Sequence, residues 1–584
     1  MKKVNLTING SEIQVPEDYT VLQAAQDLNI DVPRLCFLKD INETSSCRLC
    51  VVDVKNQRGL KNSCTLAVQE GMEIETDTEE IQDSIVQNLQ LLASNHVFEC
   101  WACEREHNCE LLHLMRRYSV ENVYGESDNF FKKERMINDS SSAIVLDSGK
   151  CILCGRCITA CEKQAGLSIL DFNERGNETY VGPALFHNME DSGCIYCGKC
   201  IQACPVAAIK EKSEIDEVVA ALRDPNKKVI VAAAPSVRVS LGEDFGSAIG
   251  ENVEGKMYKS FEVLGFDDIM DVHFAADLTI LEEGTEFINR VKNGGKLPLF
   301  TSCSPGWVNY IEQYEPDYLD NLSSAKSPQQ MAGVVAKHYY ADQLGYNKED
   351  VVFVSIMPCI AKKHEADRPE MEVDGIRDVD YVLTTREYAR LLKRKGVDFM
   401  NLEDGKPLGE LVKYSGAAPI FGTTGGVMEA ALRTVSEVLE EKETPIEFKE
   451  ARGLQGVKEA TYHVAGIDVN IAVVHGGSSI KEFFAKMKKS KKQYHFVEFM
   501  ACTGGCINGG GQPIHPAAIQ DTVDIRAERA KSLYEIDASA DKRKSHLNEA
   551  VMNLYAEWLD APGSHKAHNL LHTEYAKREF YKKS

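Results

Sequence analysis

The sequence predicts a multidomain protein in which α+β and α/β units follow one another along 584 residues. Short alternating runs around one helical stretch predict a small sheet-plus-helix unit at the start of the chain. From Lys228 onward, buried strand runs interleave with helical stretches, as in α/β folds with mainly parallel sheets. Fifteen of the 19 cysteines lie between Cys36 and Cys204, ahead of the α/β part. We therefore expect two different chemistries in the two parts of the chain.

The net charge of the protein limits the kinds of partner that it can bind. Lys and Arg number 66 and Asp and Glu 89, a formal net charge of −23, and such a surface repels nucleic acids and anionic membranes. No apolar run reaches the roughly 18 residues of a membrane span, and residues 1–7 alternate like a strand rather than forming a signal-peptide core. We expect no nucleic-acid or membrane partner and a cytoplasmic location, where clustered cysteines are more often metal ligands than disulfides.

Residues 1–78 are the first predicted domain. Strand-like runs at 4–8, 12–15 and 50–54 accompany a helical stretch at 20–28, and this pattern resembles the fold of plant-type ferredoxins. Four thiolates on the surrounding loops suit a 2Fe-2S cluster. Their spacing is wider than the plant-type pattern and is similar to the N-terminal domain of complex I large subunits and of iron hydrogenases. These cysteines are Cys36, Cys47, Cys50 and Cys64.

Residues 79–118 are the second predicted domain. A helix over 79–93 leads into the string H-x3-C-x2-C-x5-C, formed by His96, Cys100, Cys103 and Cys109. Three cysteines cannot fill four iron corners, and an imidazole is a competent fourth ligand. The same string occurs in the two families just named, so we expect a 4Fe-4S cluster with His96 as a ligand. Zinc held by one histidine and three cysteines is the alternative.

Residues 140–212 carry two copies of the C-x2-C-x2-C-x3-C run of bacterial two-cluster ferredoxins. In those proteins the fourth cysteine of each run ligates the other cluster. The first predicted 4Fe-4S set is therefore Cys151, Cys154, Cys157 and Cys204. The second is Cys194, Cys197, Cys200 and Cys161. With the two preceding sites, all fifteen cysteines are used, and four clusters in a row predict a path for single electrons.

Residues 213–516 hold the four remaining cysteines, Cys303, Cys359, Cys502 and Cys506, near predicted strand ends, where sites of open α/β sheets are found. Three segments surround them: TSCSPGW from 301, MPCIAKKHE from 357 and EFMACTGGCINGGGQP from 498. They resemble, in order, the three signature segments of FeFe hydrogenases. With the N-terminal cluster motifs, the resemblance covers nearly the whole chain and is closest to the multi-cluster monomeric clostridial type.

This resemblance implies an H-cluster, in which a 4Fe-4S cube is bridged by a cysteine to a diiron subcluster carrying CO, cyanide and an azadithiolate. Cys506 matches the bridging position, and Cys359 and Cys502 match cube ligands. Lys362 matches the lysine that hydrogen-bonds a cyanide, which suits its charge. The remaining matched contacts to the diiron unit are Pro235, Ser236, Met357 and Met500.

The first signature segment departs from the common form of the family, which has two adjacent cysteines. The first relays protons and the second ligates the cube, but this chain has Cys303-Ser304. Strict register makes Cys303 the relay and leaves Ser304 in the place of the ligand. Ligand counting favours the other assignment, with Cys303 at the metal and the Ser304 hydroxyl on the proton path, because a cube normally takes four soft thiolates.

The resemblance also implies a proton route through Glu283, Glu286, Arg290 and Ser323. The three charged residues stand at i, i+3 and i+7, so a helix would place them on one face. A solvated charged face is the alternative for such a triplet.

The sequence therefore predicts ferredoxin-like iron-sulfur domains followed by an α/β catalytic hydrogenase domain. Residues 517–584 resemble the small subunit of two-chain relatives. The expected function is reversible reduction of protons to H2 with electrons from reduced ferredoxin, and diiron maturation proteins are implied as further partners. The alternative is a sensory, electron-transfer or iron-sulfur assembly protein with a hydrogenase-like domain.

Overall fold

The computed structural model describes residues 2–121, 135–407, 409–440, 447–464, 466–490 and 492–579. The predicted segments 213–516 and 517–584 therefore each include a few positions outside the described residues. No helix in these described ranges is both long and apolar enough to cross a membrane.

The N-terminal domain is a five-stranded sheet packed against one short helix. Its strands β1 to β5 span Lys3–Ile8, Ser11–Pro16, Val51–Val54, Lys61–Asn62 and Met72–Glu75. They pair in the order β2-β1-β5-β3-β4. Helix α1, Val21–Asp27, is shorter than the predicted stretch because Thr20 caps its first turn and Leu28 ends it.

Four helices and two small sheets form the part of the chain that carries the next eleven cysteines. Helices α2 to α5 span Glu79–Ser94, Glu110–Arg117, Arg156–Lys163 and Lys199–Ala203. Strands β6 to β10 span Ile137–Asn138, Ile144–Asp147, Leu170–Asn173, Tyr180–Pro183 and Ile209–Glu211. Helices α4 and α5 each begin after a left-handed glycine, Gly155 and Gly198, inside a cysteine run.

The C-terminal part contains two larger sheets. In the first, β11, β12, β14 and β17 are all parallel, in the order β12-β11-β14-β17. In the second, β13, β20 and β19 are parallel, and β18 pairs antiparallel at the edge. Strands β11 to β20 span Lys228–Ala233, Asp268–Asp271, Leu299–Phe300, Val351–Met357, Glu372–Val373, Ile376–Arg377, Tyr381–Thr384, Val457–Val464, Ile467–His475 and Phe496–Met500.

Helices surround these sheets. Helices α6 to α15 span Ile215–Ala221, Glu254–Leu264, Val272–Asn293, Pro305–Tyr314, Pro328–Val335, Ala341–Leu344, Ala361–Ala366, Thr385–Arg394, Gly426–Glu440 and Gly477–Met487. The 22-residue α8 packs between the sheets: Phe274 and Leu278 join the core of the first sheet, and Ala276 and Ile280 that of the second.

Two sequence-predicted elements are shorter in the structure. The sequence pattern of residues 324–340 predicts a helix, but α10 begins only at Pro328, because the residue before a proline is disfavoured in the helical region. Its last turn widens into a π-helical segment, Ala336–Tyr340. The apolar run at 297–301 predicts a buried strand, but only Leu299–Phe300 pairs, since Pro298 has no N–H to donate to a ladder.

The C-terminal segment wraps around the catalytic unit as helices α16 to α19, which span Ala517–Thr522, Ile525–Ser539, Glu549–Leu554 and His565–Leu571. Asp537 is buried and accepts hydrogen bonds from Arg433 of α14, at 2.9 and 2.8 Å, and from Arg543. Arg433 also pairs with Glu429. A buried ionic network therefore holds this segment on the catalytic unit.

We predict that Asp537→Ala destabilises the folded protein by about 3–5 kcal/mol, because it leaves buried guanidinium charge without its carboxylate. Thermal unfolding measures the change. Asp541→Ala, at an exposed position on the same segment, is the control and should leave the melting temperature unchanged. Equal melting temperatures for the two variants would contradict the importance of the network.

Candidate active site and cluster ligands

The four cysteines of the first domain are gathered in its interior. Cys36, Cys47, Cys50 and Cys64 are all buried, with exposures between 0 and 5%. The backbone N–H of Cys47 donates to Cys36 Sγ at 3.5 Å, as backbone groups do toward cluster sulfurs. Side-chain hydrogen bonds link Cys36 with Cys47 and Cys50 with Cys64. These bonds lower the pKa of Cys36 and Cys64 and raise the pKa of their partners Cys47 and Cys50. The four thiols therefore form one set.

His96 is oriented by a backbone carbonyl. Its Nδ1 lies 2.9 Å from the carbonyl oxygen of Lys150, and a carbonyl can only accept, so Nδ1 carries the proton and Nε2 keeps its lone pair. The ring also meets Phe98 edge-on at 4.8 Å. A backbone carbonyl that accepts from the other ring nitrogen in this way is typical of a metal-bound histidine. Burial and the neighbouring Cys103 raise the pKa of Cys100.

The two ferredoxin-like runs exchange their fourth cysteines. Cys151, Cys154, Cys157 and Cys204 line one cavity together, so Cys204 of the second run lies with the first. Burial raises the pKa of Cys194, and so do the nearby Cys197 and Cys161. Cys161 of the first run is also among the thiols that raise the pKa of Cys200. The structure thus brings together the two crossed sets that the spacing predicts.

The two-cluster domain contacts the catalytic loops directly. A Cβ at Gly198 would lie 2.9 Å from Gly510 Cα, and one at Gly510 would lie 2.4 Å from the carbonyl oxygen of Cys197, so both positions need glycine. Cys502 Sγ lies 4.0 Å from the same Cys197 oxygen. The buried Lys199 ammonium donates to the carbonyl of Asn508 at 2.6 Å. The second cysteine set therefore lies against the third signature segment.

The catalytic cavity opens at the carboxyl ends of parallel strands from both large sheets. Residues after β11, β13, β14 and β20 reach its walls, as expected for open parallel sheets. Its lining includes three cysteines, Cys303, Cys359 and Cys506, two methionines, Met357 and Met500, and the cation Lys362. Apolar walls come from residues such as Ala234, Val272 and Phe421. Soft thiolates in an apolar cavity with one ammonium group fit an iron cofactor with anionic ligands.

Lys362 is held in the cavity wall. Its Nζ donates to Ser327 Oγ at 2.7 Å and to Glu365 Oε2 at 2.8 Å, which uses two of the three donors of an ammonium group. Pro235 lines the cavity. Ser236 does not, since its buried hydroxyl accepts from Gln512 Nε2 at 3.1 Å. Gln512 in turn donates to the Cys506 carbonyl at 3.3 Å.

Cys303 and Ser304 face different neighbours. Cys359, Cys502 and Cys506 lie near one another, and after burial Cys502 and Cys506 raise the pKa of Cys359. Burial raises the pKa of Cys303, and the largest further increase comes from the Glu283 carboxylate. Ser304 Oγ accepts from the N–H of Ala501, which precedes Cys502, at 3.2 Å. This geometry favours the strict-register alternative over the one from ligand counting.

Helix α8 carries the predicted carboxylates on one face. Glu286 bridges outward to Arg290 at 2.5 Å and inward to Ser323 Oγ, which donates to it at 3.0 Å. Glu283 is fully buried; burial and the Glu286 charge raise its pKa to about 8, although the Ser323 hydroxyl opposes the shift. The order Arg290, Glu286, Ser323, Glu283 and Cys303 therefore leads from the outer end of the helix to the cavity.

Sequence reasoning missed several side chains in this region. Glu498 is fully buried and caps the turn after Gly425, accepting from its N–H at 2.6 Å and from that of Met428 at 2.7 Å. Its place in the third signature segment was the available signal. Ser324 and His572 also reach Glu286 and its surroundings. No spacing pattern connects two residues so far apart in the chain.

The fold and site define an iron-sulfur oxidoreductase in which electron-carrying domains supply a buried metal centre. Family models match four segments: a 2Fe-2S iron-sulfur cluster binding domain over 1–79, a 4Fe-4S dicluster domain over 131–208, the C-terminal domain of the iron only hydrogenase large subunit over 227–510, and the iron hydrogenase small subunit over 523–578.

Full-length relatives identify the family. Iron hydrogenase 1 of Clostridium pasteurianum is 44% identical over 98% of this chain and 100% of its own length. Subunit HndD of the NADP-reducing hydrogenase of Solidesulfovibrio fructosivorans is 44% identical over 99% of this chain and all of its own. A variant of the FeFe hydrogenase HydA1 from Chlamydomonas reinhardtii superposes with a TM-score of 0.57 at 36% identity, covering 63% of this chain and 99% of its own. The chain belongs to the iron-only, or FeFe, hydrogenase family.

These comparisons confirm the predicted family, the fold class and the hydrogenase function over the sensory, electron-transfer and assembly alternatives. The protein NAR1 of Arabidopsis thaliana is also similar, but at 32% identity over only 62% of this chain. Iron-sulfur clusters of the 2Fe-2S and 4Fe-4S types and an H-cluster belong to this hydrogenase.

We predict that Glu283 is a neutral carboxylic acid at pH 6 and ionises as the pH rises through about 8. The reason is that burial disfavours the charged form. Infrared difference spectra of the protein should show a protonated carboxyl band at pH 6 that disappears by pH 9 and is absent in Glu283→Gln. Glu349→Gln, at an exposed position, is the control. A carboxyl band that is absent in Glu283→Gln but does not change between pH 6 and pH 9 would contradict the predicted ionisation of Glu283.

Proposed function

We propose that this hydrogenase reversibly reduces protons to H2 with electrons from reduced ferredoxin in the cytoplasm. Three accessory 4Fe-4S clusters and one 2Fe-2S cluster would carry the electrons to an H-cluster with CO, cyanide and azadithiolate ligands, delivered by diiron maturation proteins. The observation that carries this proposal is the 4.0 Å contact between Cys502 Sγ and the Cys197 carbonyl. It joins the electron-carrying part to the cavity.

A second electron donor is supported by one relative. HndD, similar over its whole length, is a subunit of an NADP-reducing hydrogenase. A pyridine nucleotide acting through further subunits is therefore the alternative to ferredoxin. Rates with reduced ferredoxin and with NADPH, measured on the isolated chain, separate the two, because the second donor needs its partner subunits.

For the accessory clusters we propose the ligand sets that the spacing predicts. The four buried thiols of the first domain support the 2Fe-2S site, and the Nδ1 contact of His96 supports its place beside Cys100, Cys103 and Cys109. The crossed sets support two 4Fe-4S clusters, one of them on the first three cysteines of the first run with Cys204, and the other on those of the second run with Cys161. Domain bounds at 1–78, 79–118, 140–212, 213–516 and 517–584 are proposed with them.

For the H-cluster we propose Cys359, Cys502 and Cys506 as cube ligands, with Cys506 bridging to the diiron unit. The neighbours of Cys303 and Ser304 support Cys303 as the thiol that moves protons and Ser304 Oγ at the fourth position of the cube. Met357, Met500 and Pro235 would pack against the diiron unit. Lys362 would direct its remaining donor at an anionic ligand, and the backbone beside Ser236 would supply a second such contact.

When bound, the H-cluster supplies the site at which two protons and two electrons combine to form H2. The protein groups move the protons. Arg290 holds Glu286, Glu286 receives protons at Oε2, and Ser323 lies between it and the neutral Glu283 carboxyl. The Glu283 oxygens have no hydrogen-bond partner among the described residues, so this side chain is free to turn between Ser323 and the Cys303 thiol, which faces the cavity. Each transfer then takes place when donor and acceptor come within hydrogen-bond reach.

The test of the function is H2 evolution from chemically reduced viologen under anaerobic conditions. Protein loaded with a synthetic diiron cofactor is compared with the same protein left unloaded. Turnover only in the loaded sample is expected. Equal absence of turnover in both samples, with iron content normal, would contradict the proposal.

We predict that His96→Ala lowers the iron content by about four atoms per chain, one 4Fe-4S cluster, and that His96→Cys restores it. Iron analysis and electron paramagnetic resonance of the reduced, unloaded protein give the count. His107→Ala, exposed in the same loop, is the control. Unchanged iron in His96→Ala would remove the histidine from the ligand set.

The assignments of Cys303 and Ser304 can be separated in the same way. We predict that Cys303→Ala keeps the iron of the unloaded protein but lowers H2 evolution of the loaded protein by roughly 100-fold or more, as loss of an acid-base group does. Ser304→Ala should lose or alter the signal of the cube, and Ser304→Cys should retain it. Loss of cube iron in Cys303→Ala would contradict this assignment and identify Cys303 as a ligand of the cube.

A further inference from the structure

The C-terminal segment places an imidazole next to the proton route. His572 Nδ1 lies 2.8 Å from Ser324 Oγ, and Ser324 Oγ lies 3.2 Å from Glu286 Oε2. Backbone pairing fixes this arrangement, since the N–H of Lys326 donates to the Leu571 carbonyl at 2.8 Å and that of Thr573 to the Ser324 carbonyl at 2.8 Å. An unbroken hydrogen-bonded path therefore joins His572 to Glu286.

The other ring nitrogen is also engaged. His572 Nε2 lies 2.9 Å from Glu282 Oε2, which also accepts from the N–H of Gly563 at 3.0 Å. Tyr555 donates its hydroxyl to the other oxygen of the buried Glu282. A carboxylate with these donors holds the Nε2 proton in place.

Ser324 has one hydroxyl proton, which decides the direction of the path. When His572 is neutral, the hydroxyl donates to Nδ1. When His572 is protonated on both nitrogens, Nδ1–H donates to Ser324 Oγ, and the hydroxyl proton turns to Glu286 Oε2. The path then runs donor to acceptor from the ring to the carboxylate.

The His572 ring is nearly buried and meets solvent through a second histidine. Its side chain is 5% exposed, and it stacks on the exposed His568 one helical turn earlier, with ring centroids 4.7 Å apart and planes at 9°. Glu282, Glu286 through Ser324, and His568 are the titratable groups facing it.

We propose that His572, a positioning residue of the C-terminal segment, relays protons between solvent and Glu286 through Ser324, as a second entry beside Arg290. The proposal rests on the proposed proton route. In each step the imidazolium loses the Nδ1 proton to Ser324 Oγ as the serine proton passes to Glu286 Oε2. The products are a neutral imidazole and a neutral carboxylic acid; the serine keeps one proton, and H2 oxidation runs the same steps in reverse.

The test compares His572→Asn with His565→Asn in the loaded enzyme. Asparagine can still bond to Ser324 but cannot carry a proton, and His565 is exposed on the same helix, where its ring forms a hydrogen bond with Asn569. We expect His572→Asn to lower H2 evolution about tenfold, less than the 100-fold or more typical of a sole acid-base group, because the Arg290 entry remains. KM for the electron donor should stay unchanged, the solvent isotope effect should rise, and added imidazole should restore part of the rate.

A readout without the diiron cofactor is available. In unloaded protein labelled with ¹⁵N-histidine, the ring signals that disappear in His572→Asn should shift in Glu286→Gln and not in Glu349→Gln. In Ser324→Ala the ring signals should no longer respond to Glu286→Gln, and H2 evolution should fall as in His572→Asn although the imidazole is still present. This variant keeps the proposal testable if the His572→Asn protein does not fold.

The outcomes distinguish the two proposals. An active wild type with equal rates, pH profiles and isotope effects for His572→Asn and His565→Asn would overturn the relay while leaving the proposed function intact. A lower rate with no change of isotope effect, no imidazole rescue and a lower melting temperature would also overturn it, since it would show a structural role only. No H2 from loaded wild type would overturn the proposed function itself.

Discussion

Close approach of two backbone segments is the constraint on which electron delivery in this molecule depends. Gly198 in the two-cluster domain and Gly510 in the third signature segment approach each other beside Ile360: a Cβ at Gly198 would lie 2.6 Å from Ile360 Cγ1 and 2.9 Å from Gly510 Cα. Any Cβ at either position would force the loops apart and lengthen the distance from Cys197 to Cys502. Three further features hold the second cysteine run in place beside this contact. They are the crossed cysteine sets, the left-handed start of α5 and the hydrogen bond of the buried Lys199.

Much of the fold and most of the candidate site could be predicted from the sequence, because metal-binding motifs are local. The spacing of the two runs predicts that Cys204 lies with Cys151, and the structure places them around one cavity. Long buried strands such as β14, Val351–Met357, were also clear. The ends of elements beside prolines could not be predicted from the periodicity alone. Pro298 removes a donor from strand pairing and Pro328 fixes the start of a helix, and neither effect is visible in the pattern of apolar residues.

Contacts that depend on tertiary packing could not be predicted. Five of the sixteen residues in the third signature segment are glycines, a pattern that predicts close approach of the backbone to a bulky cofactor. In the structure Gly509 and Gly510 instead admit neighbouring backbone: a Cβ at Gly509 would lie 2.2 Å from the Pro358 carbonyl oxygen. Likewise, the partners of Ser304 and Cys303 follow from the packing of β13 against β20, which no spacing rule contains.

The wrapped C-terminal segment has a further consequence for assembly. Residues 523–578 match the family model of the iron hydrogenase small subunit, yet here they belong to the same chain as the catalytic domain. A separate subunit would occupy this site to an extent set by the protein concentration and by the affinity between chains. Here the covalent connection replaces that equilibrium by an effective concentration, commonly in the millimolar range for short linkers. The imidazole beside Ser324 is thus supplied at fixed one-to-one stoichiometry, and dilution cannot remove it.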